Sequence, residues 1–131
     1  MLTATAFMSD DFMTIHPDAS IKEAIELLLT HDVSGLAVTD DDGHLVGIIT
    51  EFALLAMAYD HDMHRQTVER HMTRDVICAD ANATLNRVAD QFILHRVRQL
   101  PVMRNERLVG MISRRDLLHA LCQSSPPVCT A

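Results

Sequence analysis

The residues Leu108–Leu118, with the sequence L-V-G-M-I-S-R-R-D-L-L, predict a strand that leads directly into a helix. The first five are apolar and predict a strand, in which Gly110 allows another backbone segment to approach closely. Ser113 is followed three residues later by Asp116 and then by an apolar run, which predicts a helix start with a reciprocal cap. A strand that leads directly into a helix N-terminus exposes unpaired N–H groups, and such an end favours anions. If Asp116 is not fully engaged in the cap, its carboxylate can hold a sugar diol.

The same pattern occurs a second time, at Leu45–Leu55, with the sequence L-V-G-I-I-T-E-F-A-L-L. The strand residues match position by position, and Thr50 stands where the later copy has Ser113. One difference affects the chemistry, because Ala53 replaces Asp116. The repetition indicates an internal duplication in which only the later copy carries the acidic residue.

Apolar periodicity and capping residues predict the same order of elements in both halves of the chain. The elements predicted for the first half are an extended piece ending at Ile15, a helix from Ile21 to about His31, strands at Leu36–Thr39 and Leu45–Ile49, and a helix from Thr50 to about Tyr59. Those predicted for the second half are an extended piece at Val76–Ala79, a helix capped by Thr84 whose inner face includes Phe92 and Ile93, strands at Leu100–Arg104 and Leu108–Ile112, and a helix from Ser113 to about Cys122. This strand–helix–strand–strand–helix order indicates an α+β fold of two duplicated units. Because a unit of roughly 60 residues buries little core alone, we expect the two sheets to pack against each other across a pseudo-twofold axis.

The duplication also sets the expected domain boundaries, which are a first repeat at 7–60, a connector at 61–71, a second repeat at 72–122 and a loose tail at 123–131. The connector contains His61, His64 and His71, and two histidines three residues apart on a helix can bind zinc. Because the segment is predicted to be a loop without a fixed ligand set, a polar linker is the favoured interpretation. No metal site is assigned.

The distribution of charge favours the second half as the host of an anionic ligand. The net charge of −7 argues against nucleic-acid binding by bulk electrostatics. Residues 1–65 carry twelve acidic and two basic residues, a net charge of −10, whereas residues 66–131 carry six acidic and nine basic residues, a net charge of +3. A positive region attracts anions. The alternative is that the opposite charges only help the two halves to pack or pair.

Composition also limits the compartment and the kind of chemistry. No apolar run approaches the roughly 18 residues of a membrane helix, and the start of the chain lacks the basic and apolar regions of a signal peptide. The three cysteines form no C-x-x-C pair, which favours a cytoplasmic protein with reduced thiols. No nucleophile–base pair and no carboxylate dyad stands in a supporting context, so no catalytic residue is assigned.

Together these features resemble a tandem pair of CBS domains (named after cystathionine β-synthase), often called a Bateman module. The resemblance covers about residues 7–120. It rests on the duplicated strand–helix junction, on the lead-ins Met8-Ser9 and Met72-Thr73, and on the segments V-S-G-L-A-V at 33–38 and V-R-Q-L-P-V at 97–102. It implies an α+β fold of two CBS repeats, each β-α-β-β-α, in a stand-alone regulatory protein that is not an enzyme.

The resemblance also implies a ligand, which would be an adenine nucleotide such as AMP, ADP or ATP, or less often S-adenosylmethionine, bound between the two halves. No obligatory cofactor is implied. By position in the motif, Asp116 would accept hydrogen bonds from the ribose hydroxyls, Ser113 would donate to the phosphate or the ribose, and Arg98 would neutralise phosphate. Ile77 and Val97 would flank the adenine ring, and their backbones would read its edge.

The first repeat departs from the family pattern at these positions. Ala53 cannot hold a ribose diol, and Ser34 stands where the second repeat has Arg98. We therefore predict one good site in the second repeat and a degenerate or empty one in the first. Thr50 is expected to reach across to the occupied site.

The resemblance further implies a homodimer formed through the helices, and an unidentified partner protein regulated by a ligand-dependent change of shape. Two other hypotheses stay open. In the first, the chain is a non-catalytic dimerisation or protein-interaction module whose ligand site has decayed, and Ser113 and Asp116 only cap a helix. In the second, the histidines of the connector form a metal-responsive switch.

Overall fold

The structure is a computed structural model that describes residues 2–124. Its helices are α1 (Ala4–Phe7), α2 (Ile21–His31), α3 (Glu51–Ala58), α4 (Leu85–His95) and α5 (Arg114–Ser124). Its strands are β1 (Thr14–Ile15), β2 (Gly35–Thr39), β3 (Leu45–Thr50), β4 (Ala79–Asp80), β5 (Gln99–Arg104) and β6 (Arg107–Ser113). Two short 3₁₀ turns, Met63–Arg65 and Val68–Arg70, lie in the connector. Helix α5 includes the first two residues of the tail expected at 123–131, and the rest of that tail lies outside the described residues.

The strands form two three-stranded sheets with the same topology, ordered β1-β2-β3 and β4-β5-β6. In each sheet the first pair of strands is parallel and the second pair is antiparallel. A helix crosses over between the parallel strands, and a short hairpin joins the antiparallel ones, as the strand geometry requires. The predicted order of elements and the α+β duplication are confirmed.

Two elements differ from the sequence prediction. Helix α1 was not expected, because a four-residue helix carries too little periodicity to be recognised. Strand β4 begins at Ala79 instead of Val76, since its pairing with Val102 and Met103 of β5 starts only there. Ile77 therefore lies just before the strand.

The described chain forms two compact units, one of residues 13–76 and the other of residues 2–12 together with 77–124. Each lead-in therefore belongs to the unit that holds the other repeat's sheet. Ser9 exchanges two backbone hydrogen bonds with Met111, of 2.8 and 2.9 Å, in one unit. Thr73 exchanges two with Ile48, also of 2.8 and 2.9 Å, in the other unit.

The glycines of the repeated strand pattern allow this exchange of lead-ins. The Met8 side chain lies against Gly110 in one unit, and the Met72 side chain lies against Gly47 in the other. A Cβ atom at either glycine would overlap with the methionine. Gly110 is approached closely, but the nearest atoms belong to the Met8 side chain and not to the backbone that the sequence predicted. Methionine fills the space because its unbranched side chain adapts to irregular gaps.

The long helices begin and end in equivalent ways. The hydroxyls of Ser20 and Thr84 accept hydrogen bonds from the backbone N–H three residues later, at 3.1 and 3.3 Å. Asp32 and Arg96 end α2 and α4 in the left-handed conformation, with φ of 51° and 53°. The prediction that Ile93 lies on the inner face of α4 is wrong, because 75% of its surface is exposed.

Each unit has its own apolar core. The largest fully buried side chains are Ile21, Leu36, Val38, Ile49 and Val68 in one unit, and Val88, Leu100, Pro101, Val102 and Ile112 in the other. The cores fix the inner faces of the sheets and of helices α2 and α4.

Candidate functional site

The β6–α5 junction carries the reciprocal cap that its sequence predicts. The backbone N–H of Ser113 donates to Asp116 Oδ2 at 2.9 Å, and the backbone N–H of Asp116 donates to Ser113 Oγ at 3.0 Å. Both side chains are half-buried. Within residues 2–124, no hydrogen bond is made to Asp116 Oδ1, so one carboxylate oxygen remains for other contacts.

Arg114 connects this junction to the loop between α4 and β5. Its Nε donates to the carbonyl oxygen of Val97 at 3.0 Å, and its Nη2 donates to that of Arg96 at 3.3 Å. Its backbone N–H donates to the carbonyl oxygen of Arg98 at 3.2 Å. One residue therefore binds three consecutive carbonyl groups. In the sequence, Arg114 stands out only by its positive charge, because contacts across 17 residues leave no local signal.

The segment before β4 is held against the same core. Gln91 of α4 donates from Nε2 to the backbone oxygen of Cys78 at 2.9 Å. The half-buried side chains of Ile77 and Val97 both pack against the core of their unit. The structure thus places these two residues, which are expected to flank an adenine ring, on the same core.

The six predicted site residues fall into two groups. Five of them, Ile77, Val97, Arg98, Ser113 and Asp116, belong to one compact unit. Thr50 belongs to the other unit, and its contact with a ligand stays a prediction. Arg98 is exposed, as a residue that meets a phosphate from solvent must be.

The β3–α3 junction of the first repeat has only part of this arrangement. Thr50 Oγ1 accepts a hydrogen bond from the backbone N–H of Ala53 at 3.2 Å, but Ala53 has no group to return one. The backbone N–H of Glu51 donates to the carbonyl oxygen of Ser34 at 2.9 Å, which repeats the backbone contact of Arg114. A carboxylate cannot donate to carbonyl groups as a guanidinium does. The first junction therefore has a helix cap without a carboxylate for a ribose.

The connector histidines do not gather into one set of ligands. His61 and His64 contact each other edge to face, with ring centroids 5.1 Å apart. His64 Nε2 bonds to the carbonyl oxygen of Ala58 at 3.3 Å, and His71 Nε2 bonds to the side chain of Gln66. Among residues 2–124, three possible metal ligands do lie together, but they belong to the β2–β3 hairpin and not to the connector. They are Asp40, Asp42 and His44, whose ligand atoms all lie within 4.8 Å of one another.

This acidic group has a structural role in the β2–β3 hairpin. Asp40 Oδ1 accepts backbone hydrogen bonds from Asp42 at 3.0 Å and His44 at 2.9 Å, which shape the turn. The hydrogen bond from the His44 backbone, followed by smaller contributions from Asp42 and the His44 ring, lowers the pKa of Asp40.

Two cysteines have different states. Burial raises the pKa of the half-buried Cys78 thiol, which favours its protonated form. Cys122 is disulfide-bonded, so the expectation of reduced thiols is wrong for this residue.

The family model for the CBS domain matches the chain twice, at residues 4–59 and 68–123. The two matches cover both duplicated units, including both strand–helix junctions. The chain therefore belongs to the CBS domain family and contains a pair of CBS repeats, which confirms the resemblance drawn from the sequence.

Known proteins with similar sequence or structure agree with this assignment. An uncharacterised protein of Methanocaldococcus jannaschii is 33% identical over 114 residues, which cover 87% of this chain and 41% of that protein. The chain thus spans less than half the length of this relative. The crystal structure of CBSX2 in complex with AMP matches with a TM-score of 0.85 and 26% identity, over 95% of this chain and 98% of that one.

A second structure with a bound adenosine compound is similar over the same length. It is the CBS domain pair of the protein MJ0100 in complex with 5′-methylthioadenosine and S-adenosyl-L-methionine. It matches with a TM-score of 0.82 and 27% identity, over 95% of this chain and 99% of that one. In the described part of our chain, no helix has both the length and the apolar character that crossing a bilayer requires.

Proposed function

We propose that this CBS pair is a non-catalytic regulatory module that binds one adenine nucleotide, AMP, ADP or ATP, through its second repeat. The observation that carries the proposal is the geometry of Asp116. Its Oδ2 is engaged in the helix cap, whereas its Oδ1 accepts no hydrogen bond from residues 2–124. A carboxylate held in one orientation, with an oxygen to spare, suits a ribose diol.

The surrounding residues supply the other contacts that such a ligand needs. Ser113 lies at the start of α5, where the helix dipole favours a phosphate. Arg98 adds a positive charge close to the start of α5, because its carbonyl oxygen accepts a hydrogen bond from the backbone N–H of the first residue of that helix. Ile77 and Val97 offer apolar side chains for the adenine ring. Thr50, in the other unit, is a proposed additional contact.

The similar structures support an adenosine-containing ligand without deciding which one. CBSX2 is in complex with AMP, and the MJ0100 pair is in complex with 5′-methylthioadenosine and S-adenosyl-L-methionine. We place S-adenosylmethionine second, because Arg98 and the start of α5 favour an anion. The charge of the second half, nine basic against six acidic residues, points the same way.

We further propose that the module forms a homodimer through its helices and acts on a partner protein that senses its shape. Large apolar side chains exposed on α2, α3, α4 and α5 support the dimer; they are Leu29, Phe52, Leu55, Tyr59, Ile93, Leu94 and Leu118. Phe52 and Tyr59 of α3 and its C-terminus are 82% and 89% exposed. A ligand shifts the shape by no more than the difference in its affinities for the two states.

The alternative is a dimerisation or protein-interaction module whose ligand site has decayed. Ala53 in the first repeat favours this alternative for half of the chain, because that junction has lost its carboxylate. The exposed apolar residues fit it equally well. Binding measurements separate the two hypotheses.

The test is isothermal titration calorimetry of AMP, ADP, ATP and S-adenosylmethionine against the full chain and Asp116→Asn. The asparagine oxygen keeps the cap with Ser113, but its remaining group is a donor and cannot accept from a ribose hydroxyl. We expect nucleotide binding that Asp116→Asn weakens at least tenfold with little loss of thermal stability. Asp90→Asn, the same change at an exposed position of α4, is the control and should bind normally.

In thermal unfolding, a nucleotide at about 100 times its Kd should stabilise the protein by roughly 2.7 kcal/mol. No heat and no stabilisation with any of the four compounds would refute nucleotide sensing and favour the interaction module. Equal binding by Asp116→Asn and Asp90→Asn would show that the ligand lies elsewhere.

A further inference from the structure

We propose that Arg114 is the positioning residue of this site, because it holds the backbone of residues 96–98 in the conformation that the adenine ring requires. The inference rests on the proposed function and adds a residue to it. Arg114 does not touch the ligand in this proposal. It acts through the peptide groups that its guanidinium binds.

The contacts of Arg114 fix two successive peptide planes. Its Nη2 and Nε donate to the carbonyl oxygens of Arg96 at 3.3 Å and Val97 at 3.0 Å. Each carbonyl shares a rigid planar peptide group with the N–H of the next residue, which points the opposite way in a trans peptide. Binding the carbonyls of Arg96 and Val97 therefore sets the directions of the N–H groups of Val97 and Arg98.

This segment needs such a contact because it changes direction sharply. Arg96 ends α4 with a left-handed φ of 53°, and β5 begins only three residues later, at Gln99. The carbonyls at the end of a helix carry the negative end of its dipole, so a guanidinium is favourable there. The planar fork of arginine binds two acceptors at once, which the single ammonium of lysine does not reproduce.

The first repeat provides an internal comparison. It has the equivalent left-handed residue, Asp32, and the equivalent backbone contact from Glu51 to Ser34. It lacks the guanidinium, because Glu51 stands where the second repeat has Arg114. The same repeat also lacks Asp116. The second repeat thus has both the guanidinium of Arg114 and the carboxylate of Asp116. The first repeat has neither, because Glu51 and Ala53 replace them.

The test compares Arg114→Lys with Arg115→Lys, which change neighbouring residues in the same way and keep the charge. The side chain of Arg115 is exposed and makes no hydrogen bond or ion pair with the residues from 2 to 124, which makes it the matched control. The measurements are AMP and GMP affinity by calorimetry, and amide hydrogen exchange at Val97 and Arg98 without ligand. GMP is included because it differs from AMP at the base edge that the backbone of Val97 would read.

We expect Arg114→Lys to weaken AMP binding about tenfold, to narrow the preference for AMP over GMP, and to speed exchange at Val97 and Arg98. Arg115→Lys should change none of these. A purely structural role would lower the unfolding temperature and leave the ratio of AMP to GMP affinity unchanged, which would overturn the inference. Equal AMP affinity and selectivity in the two variants would overturn it as well, while leaving nucleotide binding intact. If the unmodified chain binds no adenosine compound, the proposed function fails and this inference fails with it.

Discussion

Ser113 and Asp116 bind each other reciprocally, since each backbone N–H donates to the other side chain, at 2.9 and 3.0 Å. The equivalent pair in the first repeat, Thr50 and Ala53, has one of these two hydrogen bonds, at 3.2 Å. The Asp116 carboxylate therefore accepts a capping hydrogen bond that Ala53 cannot accept. This hydrogen bond is present without a ligand. The contribution of both caps to stability can therefore be measured without a ligand.

Removal of the Ser113 hydroxyl should destabilise the unit that contains α5. Ser113→Ala leaves the N–H of Asp116 without its cap, and the loss of such a cap costs about 1 kcal/mol. Urea denaturation followed by circular dichroism measures the change. Thr30→Ala is the control, because the Thr30 hydroxyl only bonds back to its own helix at the carbonyl of Glu26 and its loss should be nearly neutral. If Ser113→Ala is as stable as Thr30→Ala, the cap contributes nothing.

An aspartate at position 53 should supply the missing half of the first cap. Ala53→Asp places a carboxylate three residues after Thr50, where it can accept from the Thr50 backbone N–H and complement the helix dipole. We expect a gain of about 0.5–1 kcal/mol in unfolding free energy, measured by urea denaturation at neutral pH. Ala56→Asp makes the same change beyond the first turn of α3, at an exposed position, whereas Ala53 is half-buried, and it should not stabilise. An equal effect of the two substitutions would contradict the capping explanation.

Local patterns in the sequence were sufficient to predict most elements of the fold. Ser20 and Thr84 mark helix starts that the structure confirms, because a cap is a contact between residues three apart. What depends on distant partners could not be predicted. The start of β4 follows from its pairing with Val102, and the exposure of Ile93 follows from what packs on α4, which apolar spacing cannot tell.

The candidate site was predictable to a similar degree. The cap of Ser113 and Asp116 is local, and it appears in the structure as expected. The hydrogen bonds of Arg114 join residues that are far apart in the chain, so no local pattern distinguishes it from Arg115. The roles of the site residues toward a ligand remain predictions.

The two glycines that contact the lead-in methionines should differ in their tolerance of alanine. At Gly47 a Cβ atom would lie 2.6 Å from Met72 Sδ and 2.9 Å from the backbone oxygen of Thr73, so the backbone would have to move. At Gly110 the three nearest atoms all belong to the flexible side chain of Met8. We expect Gly47→Ala to cost about 1–3 kcal/mol and Gly110→Ala to cost less, as measured by urea denaturation.

A double-mutant cycle with Met8→Ala checks the cause of the smaller cost. If the Met8 side chain is what opposes a Cβ at position 110, Gly110→Ala should be less harmful in the Met8→Ala background than in the original chain. The coupling should be absent between Met8→Ala and Gly47→Ala, which lie in different units. Additive effects of Met8→Ala and Gly110→Ala would show that the strain at Gly110 arises elsewhere.

Acidification should remove a stabilising contribution of Asp40. The backbone N–H groups of His44 and Asp42 bind its carboxylate and lower its pKa from the usual 3.8. A carboxyl whose pKa is lower in the folded chain stabilises the fold above its unfolded pKa, and this stabilisation is lost as the pH falls through the folded pKa.

Asp40→Asn keeps an oxygen that can accept both hydrogen bonds but removes the charge, so it should unfold more easily than the original chain at about pH 5. The difference should shrink as the pH falls below 3.8 and through the lower pKa of the folded chain, because the carboxyl then takes up a proton. Thermal unfolding across this range measures the effect, and Asp10→Asn, at an exposed position without a hydrogen bond among residues 2–124, is the control that should show no such convergence. A difference between Asp40→Asn and the original chain that stays constant with pH would mean that the charge of Asp40 does not stabilise the hairpin.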